Sequence, residues 1–492
     1  MVSIQLQKQN LLQTKLFING SWKEGVTGKS FAILDPATNE EITKVSKASE
    51  ADYEEAIQSA FTSFQSFKKT SARERSKLLS DLYQSLIKNK EDLGKILCYE
   101  NGKPLKESIG EIEYAASFFQ WYSEEAPRIY GDVIPSSSAS KRIITIRQPI
   151  GVVGIMTPWN FPAAMITRKL GCAIAAGCTA VIKPASETPL TALAIGKLCE
   201  EVGFPPGVVN ILATDHEYTS KVGALLCEHP KIKKISFTGS TGVGKILQKQ
   251  ASSTLKKTSF ELGGNAPFIV FEDADIDKAI EGLVACKFRQ SGQTCVCANR
   301  IFVQENVFDE FLSRAIEKVK GFKLGKGYDT NDSSITHGPL INKKAFEKIK
   351  SLVDDAKSKG AKVEIGGEGS SLGDNFYKPT ILTNLTPEMD IFTEEIFGPI
   401  APIIKFETLE EVISLNNSLD VGLSGYFFTK DINRMFKLGE ALEIGMIGIN
   451  TGAISEAAVP FGGVKESGFG REGSKYGIED YTTIKTMIIG VE

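Results

Sequence analysis

Histidine is scarce in this chain: three in 492 residues, His216, His229 and His337, isolated from one another. None has the i, i+4 or cysteine-paired spacing that holds zinc, so the sequence argues against a metal centre. Eight cysteines, from Cys98 to Cys297, are too sparse for a disulfide framework and fit a reducing compartment. Long apolar runs are missing as well. The longest, GCAIAAGCTAVI at 171–182, is too short to span a bilayer and contains glycines. The segment MVSIQLQKQN has no apolar signal core, and residues 1–23 carry lysines and no acid but no arginine, so a transit peptide is only weakly suggested and the cytoplasm is expected over mitochondria. Charge of one sign is not in excess: the net charge is −3 with Lys and Arg spread along the chain, which excludes a nucleic-acid surface. What remains is a protein that handles small molecules.

With 42% hydrophobic residues over this length, about three domains are expected. Tyr53, Ala56, Ile57, Ala60, Phe61 and Phe64 recur at helical spacing, and 71–101 reads as a second helix. From 151 the pattern alternates. GVVGIM, TAVIKP, VVNIL and KKISFTG read as buried strands between helices at 162–176, 188–203 and 217–228, which predicts a parallel sheet covered on both faces. Ligands of such sheets sit at the carboxyl ends of the strands, where Pro158-Trp159-Asn160, Lys183-Pro184 and Gly239-Ser240 fall. Beyond EDADID the alternation restarts with a helix over 275–290, the strand NRIFVQ, a helix near 306–322 and strands at 400–406, 422–428 and 445–450. The serine-rich stretch 134–147, leading into an alternating strand, reads either as a flexible loop or, with the strand-like tail TTIKTMIIGV, as an arm that could pair with another subunit's sheet.

The stretch FTGSTGVGKI (237–246) is one residue short of a triphosphate-binding loop, because Ile246 stands where a hydroxyl would hold magnesium. Its glycines at a strand–helix junction suit another phosphate, and they equally suit a plain turn. Cys295 lies in a polar loop, FRQSGQTCVCANR, whereas the six cysteines outside that motif lie in apolar surroundings. A thiol nucleophile needs a base. With histidine so rare, a carboxylate is the better candidate, and Glu261 in SFELGGNAP would have its pKa raised by apolar neighbours. Read alone, Glu261 could equally be a surface charge at a strand end.

PWNFP (158–162), KPASETP (183–189), FTGSTGVG (237–244), ELGGN (261–265), GQTC (292–295), EEIFGP (394–399) and PFGGVKESGFGRE (460–472) stand in the order and spacing of the NAD(P)-dependent aldehyde dehydrogenases. The resemblance spans nearly the whole chain. It implies an aldehyde-dehydrogenase-like α/β fold with two doubly wound α/β domains and a small β oligomerisation arm. The dinucleotide-binding domain would take 1–122 and 148–262, the domain of the nucleophilic cysteine 263–460, and the arm 123–147 and 478–492. Homodimers or homotetramers are then expected.

By the same resemblance Cys295 is the nucleophile, Glu261 the base, and Asn160 with the Cys295 backbone N–H the oxyanion donors. The cofactor contacts would be Trp159, Lys183, Ser186, Gly239, Ser240, Leu262, Glu395 and Phe397, with Lys245 a solvated helix charge. NADP is expected over NAD, because strict NAD users of the family often carry glutamate where Ser186 stands; Glu187 next door clouds that expectation. PWNFPAAMITRK, KPASETP and KFRQSGQTCVCANR together are similar to family members acting on succinate semialdehyde, with glutarate semialdehyde as the alternative substrate. Arg168, Arg289 and Ser455 would clamp the distal carboxylate, although each arginine could be a structural ion-pair residue. Cys297 is either a packing residue or a second thiol that captures an oxidised Cys295 as a disulfide. From another class, a cofactor-free thiol hydrolase would use Cys295 and Glu261 but leave the dinucleotide-type half without a purpose.

Overall fold

A computed structural model describes residues 4–329 and 332–492, so the first three residues of the expected dinucleotide-binding segment lie outside it. Five fully or largely buried strands form the parallel centre of an eight-stranded sheet. Their spatial order is Val209–Ile211, Thr179–Lys183, Val152–Met156, Ile232–Thr238, Lys257–Glu261. Helices Ala164–Ala176, Pro189–Glu201, Thr219–Glu228 and Thr241–Ala251 make the crossovers. An apolar run buried on both faces is what a parallel strand requires, and these segments supply it. One edge is closed by the hairpin Leu16–Ile18/Ser21–Lys23. The other is closed by Gly468–Phe469, antiparallel to Lys257–Glu261.

The first expected helix is Glu50–Phe67, started by a Ser49/Asp52 capping box. Its buried stripe is Tyr53, Ala56, Ile57, Ala60 and Phe67; Phe61 and Phe64 are only partly buried. The single helix expected over 71–101 is in fact two, Ala72–Lys88 and Lys90–Asn101. Asn89 leaves helical geometry between them, its side chain bonding back to the Ser85 carbonyl, which is the local competition that makes asparagine a helix breaker.

A second, seven-stranded sheet runs Lys362–Ile365, Thr380–Thr383, Ile400–Phe406, Ala298–Gln304, Ala266–Val270, Ser424–Phe428, Met446–Ile449, with only the first strand antiparallel. The helix expected over 275–290 stops at Leu283. Val284–Phe288 continues as a wider π turn that turns Cys286, Lys287 and Phe288 into the core. The tail Thr482–Gly490 pairs along its length with Lys141–Pro149 of the same chain, and Val133–Ile134 adds a third strand. Val133, Ile134, Ile484 and Ile488 are left exposed on this arm. Among the described residues no helix is long and apolar enough to cross a membrane.

The helix Glu50–Phe67 is pinned to the first sheet by the Tyr53 hydroxyl, which donates to the buried Leu212 carbonyl at 2.7 Å. Tyr53→Phe strands that carbonyl and is expected to cost about 1–3 kcal/mol in urea denaturation. An unshifted midpoint would show that the bond contributes nothing.

Candidate active site

Strand register brings the expected loops together. Met156 pairs with Lys183 on one side and Phe237 on the other, and Thr238 pairs with Glu261. The segments leaving these strand ends, carrying Trp159 and Asn160, Pro184, Gly239 and Ser240, and Leu262, therefore start side by side. Cys295 arrives from the second sheet, on the turn that precedes Ala298–Gln304. That turn is forced: Gln290 and Ser291 have φ of 54° and 52°, and Gly292 has φ 73°. A Cβ at Gly292 would lie 2.1 Å from the Gly398 carbonyl oxygen, so only glycine fits. Gly264 of ELGGN packs against the same turn, where an added Cβ would stand 3.0 Å from the Cys295 carbonyl oxygen.

Cys295, Arg168, Arg289, Ser455, Tyr114 and Phe161 line one narrow pocket. Of the eight cysteines, seven are buried and Cys295 alone is half-buried. Burial pushes its thiol up to about 12; Arg168 pulls the other way, and Glu261 and Glu395 add to the rise. Glu261 is buried at the end of its strand, with Oε2 lacking a hydrogen-bond partner. Burial, reinforced by Glu472, holds its carboxyl well above the usual range against the pull of Arg168 and Lys169. Asn160 is also buried; its Nδ2 donates to the Gln293 carbonyl at 3.1 Å, tying it to the cysteine turn.

The two arginines are not equivalent. Arg168 is buried, its Nε 2.7 Å from Glu472 Oε2 and its guanidinium 4.0 Å from the centre of the Phe461 ring. Lys169 takes the other Glu472 oxygen at 2.5 Å and donates to Thr238 at 2.6 Å. Burial alone would raise the Glu472 carboxyl, but these cations outweigh it and hold it below the usual range. Arg289 is exposed, lies over Phe161 at 5.2 Å, and takes part in no ion pair among the described residues. Lys169 and Glu472 were missed as site residues. Both sit inside quoted motifs, MITRK and FGRE, and nothing in the sequence says that they meet.

On the opposite side of the crevice, the buried Lys183 donates to the Pro184 carbonyl at 2.9 Å, and burial brings its ammonium down to about 8 against the opposing pull of Glu187. Ser186 Oγ donates to Glu187 Oε2 at 2.9 Å. Ser240 caps Thr241–Ala251 in extended conformation without a side-chain capping bond, and the space beside Gly242 is open. Lys245 is exposed and paired with Glu466 at 2.6 Å. Glu395 Oε1 accepts from the Gly264 N–H at 3.2 Å, and burial raises this carboxyl to about 7. Phe397, at φ 58°, presents its ring edge-on to Trp159 at 5.5 Å. A helix start free of side-chain capping, a buried ammonium bonded to a carbonyl and a carboxylate beside a glycine pair fit the phosphates and sugar hydroxyls of a dinucleotide.

Residues 22–487 match the aldehyde dehydrogenase family. The chain belongs to that family. Among its relatives, succinate-semialdehyde dehydrogenase [NADP(+)] of Saccharomyces cerevisiae is 52% identical over 99% of this chain and 97% of its own. The 3-sulfolactaldehyde dehydrogenase of Pseudomonas putida is 46% identical over 99% of both chains. The crystal structure of succinate-semialdehyde dehydrogenase from Burkholderia pseudomallei superposes with a TM-score of 0.96 at 46% identity, covering 99% of this chain and all of that one.

In this aldehyde dehydrogenase Cys297 is buried, with its sulfur 3.3 Å from Lys287 Nζ and donating to the Lys287 carbonyl at 3.4 Å. Capturing an oxidised Cys295 would require Cys297 to leave those contacts. With its thiol raised so far, Cys295 of the cofactor-free protein should react with iodoacetamide about tenfold faster per pH unit from roughly pH 6 to 9, because only thiolate attacks. Mass spectrometry of the Cys295 peptide checks this, and a plateau below pH 8 would contradict the buried, carboxylate-flanked setting.

Proposed function

We propose that this aldehyde dehydrogenase oxidises succinate semialdehyde to succinate, with NADP preferred and NAD as a second acceptor. The observation that carries the substrate is Arg289, an exposed cation with no ion pair among the described residues, which lines the same pocket as Cys295. A distal carboxylate would meet it there, with Ser455 as a further donor, while Arg168, already held by Glu472, adds positive potential from behind. The names of the yeast and Burkholderia relatives agree with this reading.

The Cys295 sulfur attacks the aldehyde carbon, and its proton passes to Glu261. The new S–C bond leaves an oxyanion held by the Asn160 amide and the Cys295 N–H, each such donor being worth about 2.7–4 kcal/mol of barrier. Trp159, Lys183, Ser186, Gly239, Ser240, Leu262, Glu395 and Phe397 would hold the dinucleotide, which when bound supplies the two-electron acceptor that leaves Cys295 as a thioester. Glu261 releases the first proton to solvent, then takes a proton from water as it attacks that thioester, and the departing sulfur recovers that proton from Glu261, releasing the acid and restoring the thiol. One carboxylate serves both steps because they are separated in time. The exposed isoleucines of the arm would be covered by a second copy of the chain, and the cytoplasm is the compartment that fits its cysteines.

Arg289→Ala is expected to lower kcat/KM for succinate semialdehyde roughly 10–150-fold, the worth of one charge-assisted hydrogen bond, and to change butanal oxidation little. Equal losses on both aldehydes would make Arg289 structural. The Ser186 hydroxyl must leave Glu187 to meet a 2′-phosphate, whereas a glutamate at 186 would repel that phosphate and grip ribose hydroxyls. Ser186→Glu should therefore raise the NAD/NADP ratio of kcat/KM; an unchanged ratio would place discrimination elsewhere.

A further inference from the structure

Between helices Lys90–Asn101 and Leu105–Glu125 the chain makes a short turn, Gly102-Lys103-Pro104, that points into the protein beneath the active site. Lys103 is buried, its side chain 1% exposed. It donates to the Asn160 carbonyl at 2.9 Å, forms an ion pair with the equally buried Glu111, and stands 4.1 Å from the centre of the Phe161 ring. Glu111 in turn accepts from the Ala163 and Ala164 N–H groups at 2.9 and 3.3 Å, the start of the helix that carries Arg168. Asn101 adds a bond to the Trp159 carbonyl at 2.7 Å. Every residue from 159 to 164 except Pro162 is thus contacted by this one bracket. A buried lysine would ordinarily be excluded, since desolvation costs several kcal/mol per ion. Here one hydrogen bond and the approach to the Phe161 ring go to the segment that presents Asn160, while Glu111 takes a second hydrogen bond and the charge.

We propose that Lys103 is a positioning residue for the oxyanion step: by fixing the Asn160 backbone and the Phe161 ring, it aims the Asn160 amide at the oxygen of the carbonyl whose carbon Cys295 attacks. This rests on the oxyanion role given to Asn160 above. The charge of Lys103 is neutralised by Glu111, so it acts through placement and not through its field. Loss of the bracket should then lower turnover on charged and uncharged aldehydes alike, which separates it from Arg289.

The test is a double-mutant cycle read without cofactor, on the hydrolysis of p-nitrophenyl acetate. That reaction passes through the same oxyanion on Cys295 and needs no electron acceptor. Lys103→Met is combined with Glu111→Gln so that no lone buried carboxylate remains. This pair of changes should slow ester hydrolysis roughly tenfold in the parent and less than about twofold in the Asn160→Ala background, since coupled residues are non-additive. With succinate semialdehyde and NADP the same change should lower kcat while KM moves by less than about twofold. If the double change does not yield folded protein, Lys103→Arg, which keeps the charge and displaces the donor, is put through the same cycle with a smaller expected loss. Equal fractional losses in both backgrounds would overturn the positioning role and leave the Asn160 reading standing. Full ester hydrolysis by Asn160→Ala alone would overturn both.

Discussion

Glu472 holds two buried cations at once, Arg168 on one carboxylate oxygen and Lys169 on the other, and most of the site is arranged around that contact. Adjacent positions on a helix point in different directions, so Arg168 reaches the substrate pocket while Lys169 reaches Thr238 at the end of a sheet strand. Glu472 couples the two. Breaking a buried pair by removing one partner typically costs about 3–5 kcal/mol, because the other charge is stranded. The same carboxylate also pushes Glu261 upward, and Glu261 pushes Cys295 upward. Glu472 thus bears on the thiol only indirectly, through Glu261 and Arg168, from a position outside the pocket lining.

Burial makes ionisation harder for both Glu261 and Cys295. Glu261 adds to the rise of the Cys295 thiol, since a carboxylate beside a thiolate would repel it. Arg168 offsets part of this and so helps the thiolate that the reaction needs. A raised thiol is less open to oxidation than a thiolate.

The parallel strands from 152 to 261 were legible because they are short apolar runs bounded by glycine, proline or polar turns, and a buried parallel strand has no other signature. The helix over 275–290 was overextended because periodicity cannot distinguish an α turn from the π turn that begins at Val284. Cys295 and Glu261 stood out by context. The inequality of Arg168 and Arg289 did not, since it depends on a glutamate far along the chain. Lys103 was invisible for the same reason: a lysine in a polar turn reads as solvated, and only packing shows that Glu111, Phe161 and Asn160 enclose it.

The strand Gly468–Phe469 returns the chain to the first sheet after the whole second sheet has been built, and Glu472 follows three residues later. The path is thus a closed circuit in which the first domain is begun before the second and finished after it. On a ribosome this imposes an order. Strands 152–261 emerge with Arg168 and Lys169 already in the core-forming helix, but their counter-charge is not yet synthesised. Domains generally form as units from the N-terminus onward. This first unit must wait for Glu472, the carboxylate that pairs directly with both cations, until nearly the last residue has been added, so a nascent or truncated chain has only Glu261 of this carboxylate pair to offset them.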